Sequence, residues 1–306
     1  MNSSSTATFD LGLAPITAPA PSASPTATAP AAAPRPLRLT PDELALSAQR
    51  ARTRARLARL VAPLLGLLVF GLIWQWIAQF NPQIPPPAVV GQAALKLFAD
   101  PFYRNGPNDQ GVGWNILASL GRVGLGFGLA ALVGIPLGFV IGRFDFANQM
   151  AAPVIALLRP VSPLAWLPIG LLVFKAADPA AIWTLFICSL WPMVINTAAG
   201  VRAVPQDYLN VAKVLKLPEW TVFTRILFPA ALPHLLTGVR LSVGIAWLVI
   251  VAAEMLTGGV GIGFWLWDEW NNLNVANIII AILVIGVVGL ILEAALVGIA
   301  RRFEYE

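Results

Sequence analysis

The chain has 306 residues, of which 58% are hydrophobic and 11% are charged, and its mean hydropathy is +0.75. A soluble domain carries about 25% charged residues, so this composition excludes a water-soluble globular protein and predicts a protein embedded in lipid. The net charge is +5, and the basic residues flank apolar segments instead of forming one basic face. That distribution argues against nucleic acid as a partner and favours membrane lipid.

The sequence carries no signature of a catalytic or metal centre. It contains one cysteine, Cys188, and one histidine, His234, and its Cys, His and carboxylate residues show no metal-ligand spacing. It has no G-x-x-x-x-G-K-[ST] segment that would cradle phosphates. We therefore expect no catalytic residues, no metal, no cofactor and no enzyme activity. Any ATP is expected to be bound and hydrolysed by a partner.

The chain divides into a tail and a membrane domain. Residues 1–45 are rich in Ala, Pro, Ser and Thr, which predicts a disordered tail, and a transmembrane domain is predicted over 46–306. A span needs about 20 mostly apolar residues. Six segments meet that requirement: 60–80, 115–142, 150–174, 179–200, 226–256 and 275–300.

Proline and glycine modify the predicted spans. Span three contains several prolines, which remove backbone donors and predict a kinked or broken helix: Pro153, Pro160, Pro163 and Pro168. Span two contains glycines at four-residue spacing, which predict close packing against another helix: Gly124 and Gly128, then Gly134, Gly138 and Gly142. The glycine-rich segment 257–263 is expected to form a flexible turn or a short re-entrant loop on the outer side.

The placement of lysine and arginine predicts the orientation. With six spans and both termini in the cytoplasm, most basic residues outside the spans fall on the cytoplasmic side, as the positive-inside rule requires. That side then holds Arg50, Arg52, Arg54, Arg56, Arg59, Arg143, Arg202, Lys213, Lys216, Arg225, Arg301 and Arg302, and the outer side holds Lys96, Arg104 and Lys175.

A polar segment, the coupling loop 205–225, interrupts the apolar spans on the predicted cytoplasmic side. Pro205 suits a helix start and Pro218 forces a stop, so a helix is predicted over 205–217. Its apolar residues fall at i, i+3, i+4 and i+7 and form one stripe: Tyr208, Val211, Ala212 and Leu215. The stripe is expected either to dock in a groove of a partner or to lie on the membrane surface or the chain's own helices.

The spacing in this loop resembles the E-A-A-x3-G-x9-I-x-L-P pattern of ABC importer permeases. The pattern falls on Asn210, Val211, Ala212, Lys216, Ile226, Phe228 and Pro229, and Ala212, Ile226 and Pro229 keep its residues. Wider segments resemble the nitrate, sulphonate and taurine group of these permeases: Ser119-Leu120-Gly121-Arg122-Val123, Leu158-Arg159-Pro160, Ala165-Trp166-Leu167-Pro168 and Ala253-Glu254-Met255-Leu256. Within that group, Trp267-Asp268-Glu269-Trp270-Asn271-Asn272 resembles the cyanobacterial nitrate and bicarbonate permeases.

The resemblance implies an all-α polytopic membrane protein of the type I ABC importer permease kind, with six transmembrane helices and a cytoplasmic coupling helix. It implies three partners at the inner membrane of a bacterium: ABC ATPase subunits, an external substrate-binding protein and a second permease copy. Nitrate or nitrite is the implied substrate; bicarbonate, an organic sulphonate, or an ATP-independent channel or secondary carrier are the alternatives. The residues implied to couple to the ATPase are Tyr208, Asn210, Val211, Ala212, Leu215, Lys216 and Pro229.

Polar residues within the spans are candidates for the substrate pathway. A charge at the centre of a span costs at least about 2.5–3.5 kcal/mol and normally faces protein or water, and a guanidinium matches a planar oxyanion. The candidates are Arg240, Arg122, Arg159, Asn196 and Glu254. The alternative for each arginine is that it satisfies backbone carbonyls or pairs with Glu254. The alternative for Asn196 is a helix-packing contact, and for Glu254 a structural or gating role.

Overall fold

Every regular element within the described residues is helical. The computed structural model describes residues 41–107, 109–300 and 302, and it describes residues 41–60 by their backbone alone. The chain separates into two compact units, 1–64 and 65–306, and the second holds the packed core. The helices are α1 Pro41–Phe80, α2 Pro87–Leu97, α3 Val112–Arg143, α4 Asp145–Leu158, α5 Leu167–Phe174, α6 Ala177–Arg202, α7 Gln206–Val214, α8 Glu219–Val222, α9 Phe228–Thr257, α10 Ile262–Asn271 and α11 Val275–Ala300, with a 3₁₀ turn at Pro163–Trp166 and a π turn at Phe223–Leu227.

The predicted tail lies almost wholly outside the described residues. Its last part, 41–45, belongs to α1. Within the described residues, helix α1 thus already covers the last five residues of the segment that composition assigns to the tail.

Among the residues that the structure describes, five helical stretches are long and apolar enough to cross a membrane, and six when one bent pair is counted as a single span. They match the six predicted spans in order. They are Val61–Phe80, Val112–Arg143, the pair Asp145–Leu158 and Pro163–Phe174, Ala177–Arg202, Glu219–Thr257 and Val275–Ala300. The fifth begins at Glu219 and not at 226, because α8 and the π turn continue into α9 without a gap.

The predicted break in span three is present. Helix α4 and the segment Pro163–Phe174 meet at an angle of 98°. Pro160 and Pro163 flank this bend, whereas Pro153 lies inside α4. Pro168 lies in the first turn of α5, where a missing backbone N–H is tolerated. Two of the four prolines therefore coincide with the break.

Helix α3 packs against α6 at backbone distance. A methyl group on Gly138 would lie 2.6 Å from Thr197 Cβ and 2.9 Å from the Val194 carbonyl oxygen. The same holds along one face of α3, where a Cβ would meet α6 atoms at Gly126, Gly134, Gly138 and Gly142. The contact would be 2.5, 2.6 and 2.7 Å at Gly126, Gly138 and Gly142, which requires glycine there, and a tight 3.1 Å at Gly134. The spacing of the last three glycines predicted this close approach.

The prediction was wrong for two glycines of α3. In the described part of the chain, no atom of another helix lies within 4 Å of the Cβ position of Gly124 or Gly128. Residues two positions apart on a helix are about 200° apart. Because Gly126 points towards α6, Gly124 and Gly128 point away from it. The four-residue spacing was right, but its first two members lie on the opposite face.

Helices α6 and α9 also approach closely. The Ser242 hydroxyl donates to the Ser189 carbonyl oxygen at 2.8 Å, and the Ser189 hydroxyl donates back to the Ser242 carbonyl oxygen at 3.4 Å. A methyl group on Gly200 of α6 would lie 2.8 Å from Cβ of His234. Helix α6 is thus the central helix, in contact with both α3 and α9.

Substitution of Gly138 tests the close contact of α3 and α6. We expect Gly138→Ala to lower the free energy of unfolding by about 1–3 kcal/mol, because the added methyl overlaps Thr197 and Val194. Gly128→Ala is the matched control in the same helix; with open space around it, only the higher helix propensity of alanine acts, adding roughly 1 kcal/mol of stability. Denaturation in mixed detergent micelles measures both. Equal stability of the two variants contradicts the packing.

Candidate functional site

A buried carboxylate lies near the end of α9. Glu254 is 1% exposed. Ser119 Oγ lies 2.8 Å from both of its carboxylate oxygens, Arg122 Nη1 donates to it at 2.6 Å, and the Gly263 N–H donates at 3.0 Å. A buried charge without partners is costly, and these donors offset that cost. The carboxylate is therefore enclosed by donors from α3 and α10.

Arg122 joins two carboxylates. Its Nη1 contacts Glu254, and its Nε and Nη2 lie 2.9 Å and 2.8 Å from Asp178 Oδ1. Its Nη1 also donates to the Val260 carbonyl oxygen at 2.7 Å. All three guanidinium nitrogens take part in these contacts, and two carboxylates, those of Glu254 and Asp178, lie against the single positive charge. Pairing with Glu254, the alternative considered for each arginine, applies to Arg122.

The expected glycine-rich turn connects α9 to α10 and is tied to α3. Gly258 and Gly259 have φ values of +78° and +93°, in the left-handed region that glycine adopts without strain. Three consecutive backbone N–H groups then donate to buried side chains, Gly261 to Asn115 Oδ1 at 2.9 Å, Ile262 to Ser119 Oγ at 3.0 Å and Gly263 to Glu254 at 3.0 Å. We call Asn115, Ser119, Arg122, Asp178 and Glu254 the Glu254 clamp.

Sequence reasoning missed three members of the Glu254 clamp. Asn115 and Ser119 are buried polar residues of α3, and Asp178 lies in the first turn of α6. A signal was available, because Asn115, Ser119 and Arg122 fall at i, i+4 and i+7 and so share one helix face. Nothing in the sequence pairs that face with Asp178, which lies on another helix.

Arg240 lies away from the Glu254 clamp. It pairs with Glu293 of α11, and both side chains are about half exposed, at 52% each. Its guanidinium also borders a small cavity of about 130 Å³ with Thr237 and Leu296. Arg240 and Glu254, both on α9, therefore have different partners.

The break in span three opens onto a cavity between that break, α6 and α9. The cavity measures about 360 Å³, and Arg159 and Asn196 both line it. The Asn196 Nδ2 donates to the Pro192 carbonyl oxygen at 2.8 Å, which leaves its amide with a second hydrogen and an acceptor oxygen. Two of the pathway candidates thus lie at one cavity, while Arg122, Glu254 and Arg240 do not line it.

Helix α7 is shorter than predicted. It covers Gln206–Val214, with Pro205 at its N-cap and Leu215 at its C-cap, whereas the sequence predicted 205–217. Lys216 has a φ of +50°, a left-handed conformation that commonly ends a helix. Lys216 occupies the glycine position of the E-A-A pattern, and this backbone conformation is the one that glycine adopts most easily.

Helix α7 has an anchored face and an exposed face. Leu209 and Ala212 are buried in a cluster with Val201 of α6, Leu227 of the π turn and Ala231 of α9. Ala212, predicted on the stripe, is thus turned inward. The rest of the stripe is exposed, with Tyr208 at 61% and Leu215 at 63%, and Val211 and Val214 are exposed beside them.

The remaining residues of the predicted coupling set are also accessible. Asn210 and Lys216 are exposed on α7 and on the residue that follows its C-cap, and Pro229 is exposed in the first turn of α9. Asn210, at the first position of the E-A-A pattern, lies beside the buried Leu209. Of the residues predicted to couple to the ATPase, Ala212 is therefore buried and the others are exposed.

These features define a class of protein: a multi-pass helical membrane protein with a broken span and a short helix that exposes an apolar face. The sequence profile described as "Binding-protein-dependent transport system inner membrane component" matches residues 134–305. The chain belongs to this family of membrane components of transport systems. It is a transport subunit.

The chain is similar to permeases named for nitrate and for bicarbonate transport. The nitrate import permease protein NrtB of Synechocystis sp. is 46% identical over 236 residues, covering 77% of this chain and 86% of that protein. The NrtB protein of Leptolyngbya laminosa is 48% identical over 230 residues, covering 75% and 82%. The bicarbonate transport system permease protein CmpB of Synechocystis sp. is 44% identical over 244 residues, covering 78% and 87%. These identities confirm the resemblance to the nitrate and bicarbonate permeases.

A solved structure confirms the predicted fold class. The inward-facing MetNI methionine ABC transporter contains a chain that matches with a TM-score of 0.53 and 14% sequence identity. The match covers 62% of this chain and 95% of that chain. The all-α permease fold of an ABC importer is therefore shared.

A double-mutant cycle tests the buried pair of the Glu254 clamp. We expect Arg122→Gln alone to cost about 3 kcal/mol of stability, because it leaves the buried Glu254 carboxylate without a cationic partner. Glu254→Gln alone should cost less, because Arg122 keeps its ion pair with Asp178. The double substitution should cost less than the sum, with a coupling of about 2 kcal/mol. The quantities are measured by denaturation in mixed detergent micelles.

The matched control is the pair of Arg143 and Glu219, which lie 3.4 Å apart with the glutamate exposed. The same cycle there should give a coupling of only about 0–1 kcal/mol, as for other surface pairs. Equal coupling in the two cycles contradicts a special role for burial in the Glu254 clamp.

Proposed function

We propose that the chain is the permease subunit of an ATP-driven importer that carries a small inorganic anion, nitrate or nitrite, across the inner membrane of a bacterium. The substrate is supported by the two NrtB relatives, whose names state nitrate import. The ATP-driven mechanism rests on one observation. Helix α7 is anchored to the core by one face and exposes an apolar surface on the other.

The exposed surface of α7 suits an ATPase subunit. Large apolar residues grouped on one exposed surface mark a contact with another molecule: Tyr208, Val211, Val214 and Leu215. Lys216, which directly follows Leu215, is exposed next to this docking surface, so an apolar groove with an acidic residue at its rim complements it. In this proposal Asn210 and Pro229 lie at the edge of the contact, and Ala212 holds the helix in place.

A force on the docking surface would reach the core directly. Leu209 and Ala212 pack against the end of α6 and the start of α9, and densely packed interiors transmit displacement instead of absorbing it. Helix α9 has 30 residues and is therefore roughly 45 Å long. Its far end carries Glu254, so a movement of α7 can be relayed to the Glu254 clamp along one helix.

The proposed cycle assigns the chemistry to partners. ATPase subunits bind ATP and close, which brings the α7 helices of two permease copies together and turns the path between the copies from inward-facing to outward-facing. An external binding protein then releases the anion, and ATP hydrolysis resets the complex. The chain has no phosphate-binding loop of its own. Its basic residues favour cytoplasmic termini, which places α7 on the side of the ATPase.

Substitution of the docking surface tests the coupling role. We expect Tyr208→Asp combined with Leu215→Asp to abolish co-purification with the co-expressed ATPase, because two charges would be buried in an apolar groove without partners. Membrane insertion and the thermal stability of the permease should stay unchanged, since both side chains are exposed.

Leu273→Asp is the matched control for this experiment. Leu273 is also an exposed leucine, and its φ of +56° suits aspartate better than most residues. It lies between α10 and α11, at the end of α9 that is remote from α7, and its replacement should leave co-purification intact. If the α7 variant still co-purifies with the ATPase, the docking role is contradicted and an ATP-independent carrier is favoured.

Bicarbonate is the second candidate substrate, because the CmpB relative is nearly as similar as the NrtB relatives. Uptake of labelled nitrate and labelled bicarbonate, by the whole complex in a strain without its own carriers, separates the two. We expect nitrate uptake that requires the ATPase and the binding protein. Uptake of bicarbonate alone overturns the nitrate assignment, and uptake of a labelled organic sulphonate alone overturns both.

A further inference from the structure

The three arginines within the spans differ in what balances their charge. Arg122 lies between two carboxylates, and Arg240 pairs with Glu293. Arg159 has no salt-bridge partner in the part of the chain that the structure describes. Its positive charge therefore stays available to a ligand.

Arg159 lies deep within its span. It directly follows α4, which begins at Asp145 and has 14 residues, a rise of roughly 21 Å. The hydrocarbon core of a bilayer is about 30 Å thick. A charge at that depth is costly in lipid and normally faces protein or a water-filled cavity.

The backbone around Arg159 also indicates that this residue faces protein or a water-filled cavity. Pro160 and Pro163 carry no N–H group, and the chain bends by 98° between α4 and the segment that starts at Pro163. Non-helical backbone at membrane depth is tolerated only where it is buried in protein or lines a water-filled cavity. Arg159, Val161 and Pro163 line the cavity described above, so the break borders that cavity.

The cavity at the break has the chemistry of an anion site. Its lining combines Arg159 and Asn196 with apolar and aromatic residues such as Trp166 and Trp191, and among the described residues that form it there is no carboxylate. A guanidinium and an amide together present several N–H donors to an oxyanion. The volume of about 360 Å³ corresponds to roughly twelve water molecules, so a hydrated anion fits.

We infer that Arg159 and Asn196 form a transit site for a monovalent oxyanion in the translocation path. Arg159 supplies the charge, and Asn196, on α6, supplies a neutral donor to the same cavity. The inference rests on the proposed function, since an importer of anions needs such a site. One guanidinium in a wide, hydrated cavity attracts the anion without enclosing it, and a transport path requires that the ion can leave.

Thiol labelling tests binding at this cavity directly. The single cysteine, Cys188, lines the cavity, so Cys188→Ala provides a cysteine-free chain in which Ile195→Cys reports on the same cavity. In the complete complex, nitrate should slow the reaction of that cysteine with a neutral thiosulfonate several-fold. Gluconate at equal ionic strength should not slow it. The protection by nitrate should disappear when Arg159→Gln is added.

Uptake measures the consequence for transport. Arg159→Gln should lower nitrate uptake about ten-fold or more, the loss expected for one charge-assisted hydrogen bond, while Arg159→Lys should keep part of it. Lys175→Asn is the matched control, because it removes a positive charge just after α5, outside the cavity lining. The φ of +52° at Lys175 suits asparagine. Co-purification with the ATPase and thermal stability show that each variant is folded.

The outcomes separate the site from the function. If the complex imports nitrate but nitrate does not protect the Ile195→Cys cavity, the site is overturned and the proposed function stands. Unchanged uptake of nitrate by the Arg159→Gln variant also overturns the site and leaves the proposed function standing. If the complex imports neither nitrate nor bicarbonate, the proposed function fails; protection of the cavity by either anion would then still support the site.

Discussion

The Glu254 clamp, the cavity at Arg159 and the anchor of α7 all depend on the close contact of three helices, α3, α6 and α9. Glycines on α3 and reciprocal serine hydrogen bonds between α6 and α9 let the backbones approach. In lipid the hydrophobic effect does not drive helices together, so close van der Waals packing and polar contacts must supply the attraction. Once α6 is held between its neighbours, residues from distant parts of the sequence meet across it.

The lack of water in the membrane then determines how charges are arranged. Arg122 and Glu254 are held together with Asp178, and Arg240 is held with Glu293, because an unpaired charge in such surroundings is costly. In these ion pairs the charges of Arg122 and Arg240 are neutralised by carboxylates of the same chain. Arg159, at the bend of the broken span, keeps its charge because the break itself opens onto a cavity. In the inference drawn above, the same constraint separates the paired Arg122 and Arg240 from Arg159, which is proposed to meet the anion.

The core also gives the two ends of the protein a mechanical link. Leu209 and Ala212 of α7 are buried in one cluster with Ala231 of α9. The other end of α9 carries Glu254, which receives hydrogen bonds from both α3 and α10. Between α8 and α9 the chain makes a π turn, Phe223–Leu227, a feature that often marks functional sites in helices. A displacement of α7 in the proposed cycle would therefore act on the turn between α9 and α10 through a continuous helix.

Much of the architecture follows from local pattern. The lengths of the apolar runs predicted the spans, because a helix must satisfy all its backbone groups internally across a layer of fixed thickness. The prolines near Arg159 predicted the break, and the polar loop with its flanking prolines predicted a short helix close to the one found. The end of that helix was misplaced by a few residues, because Lys216 adopts a left-handed conformation that its sequence does not signal.

The sequence by itself determined the membrane class, the order of the helices and the resemblance to a family of permeases, since these depend on hydropathy, helix period and motif spacing along one chain. Only the tertiary structure decided which of Gly124, Gly126 and Gly128 faces α6, that Ala212 points inward, and that Arg122 belongs to Glu254 and Asp178. The physical reason is that rotation of each helix about its axis, and the partners it meets, are set by packing between segments far apart in the sequence. Local periodicity fixes the faces of a helix but not the neighbour that each face contacts.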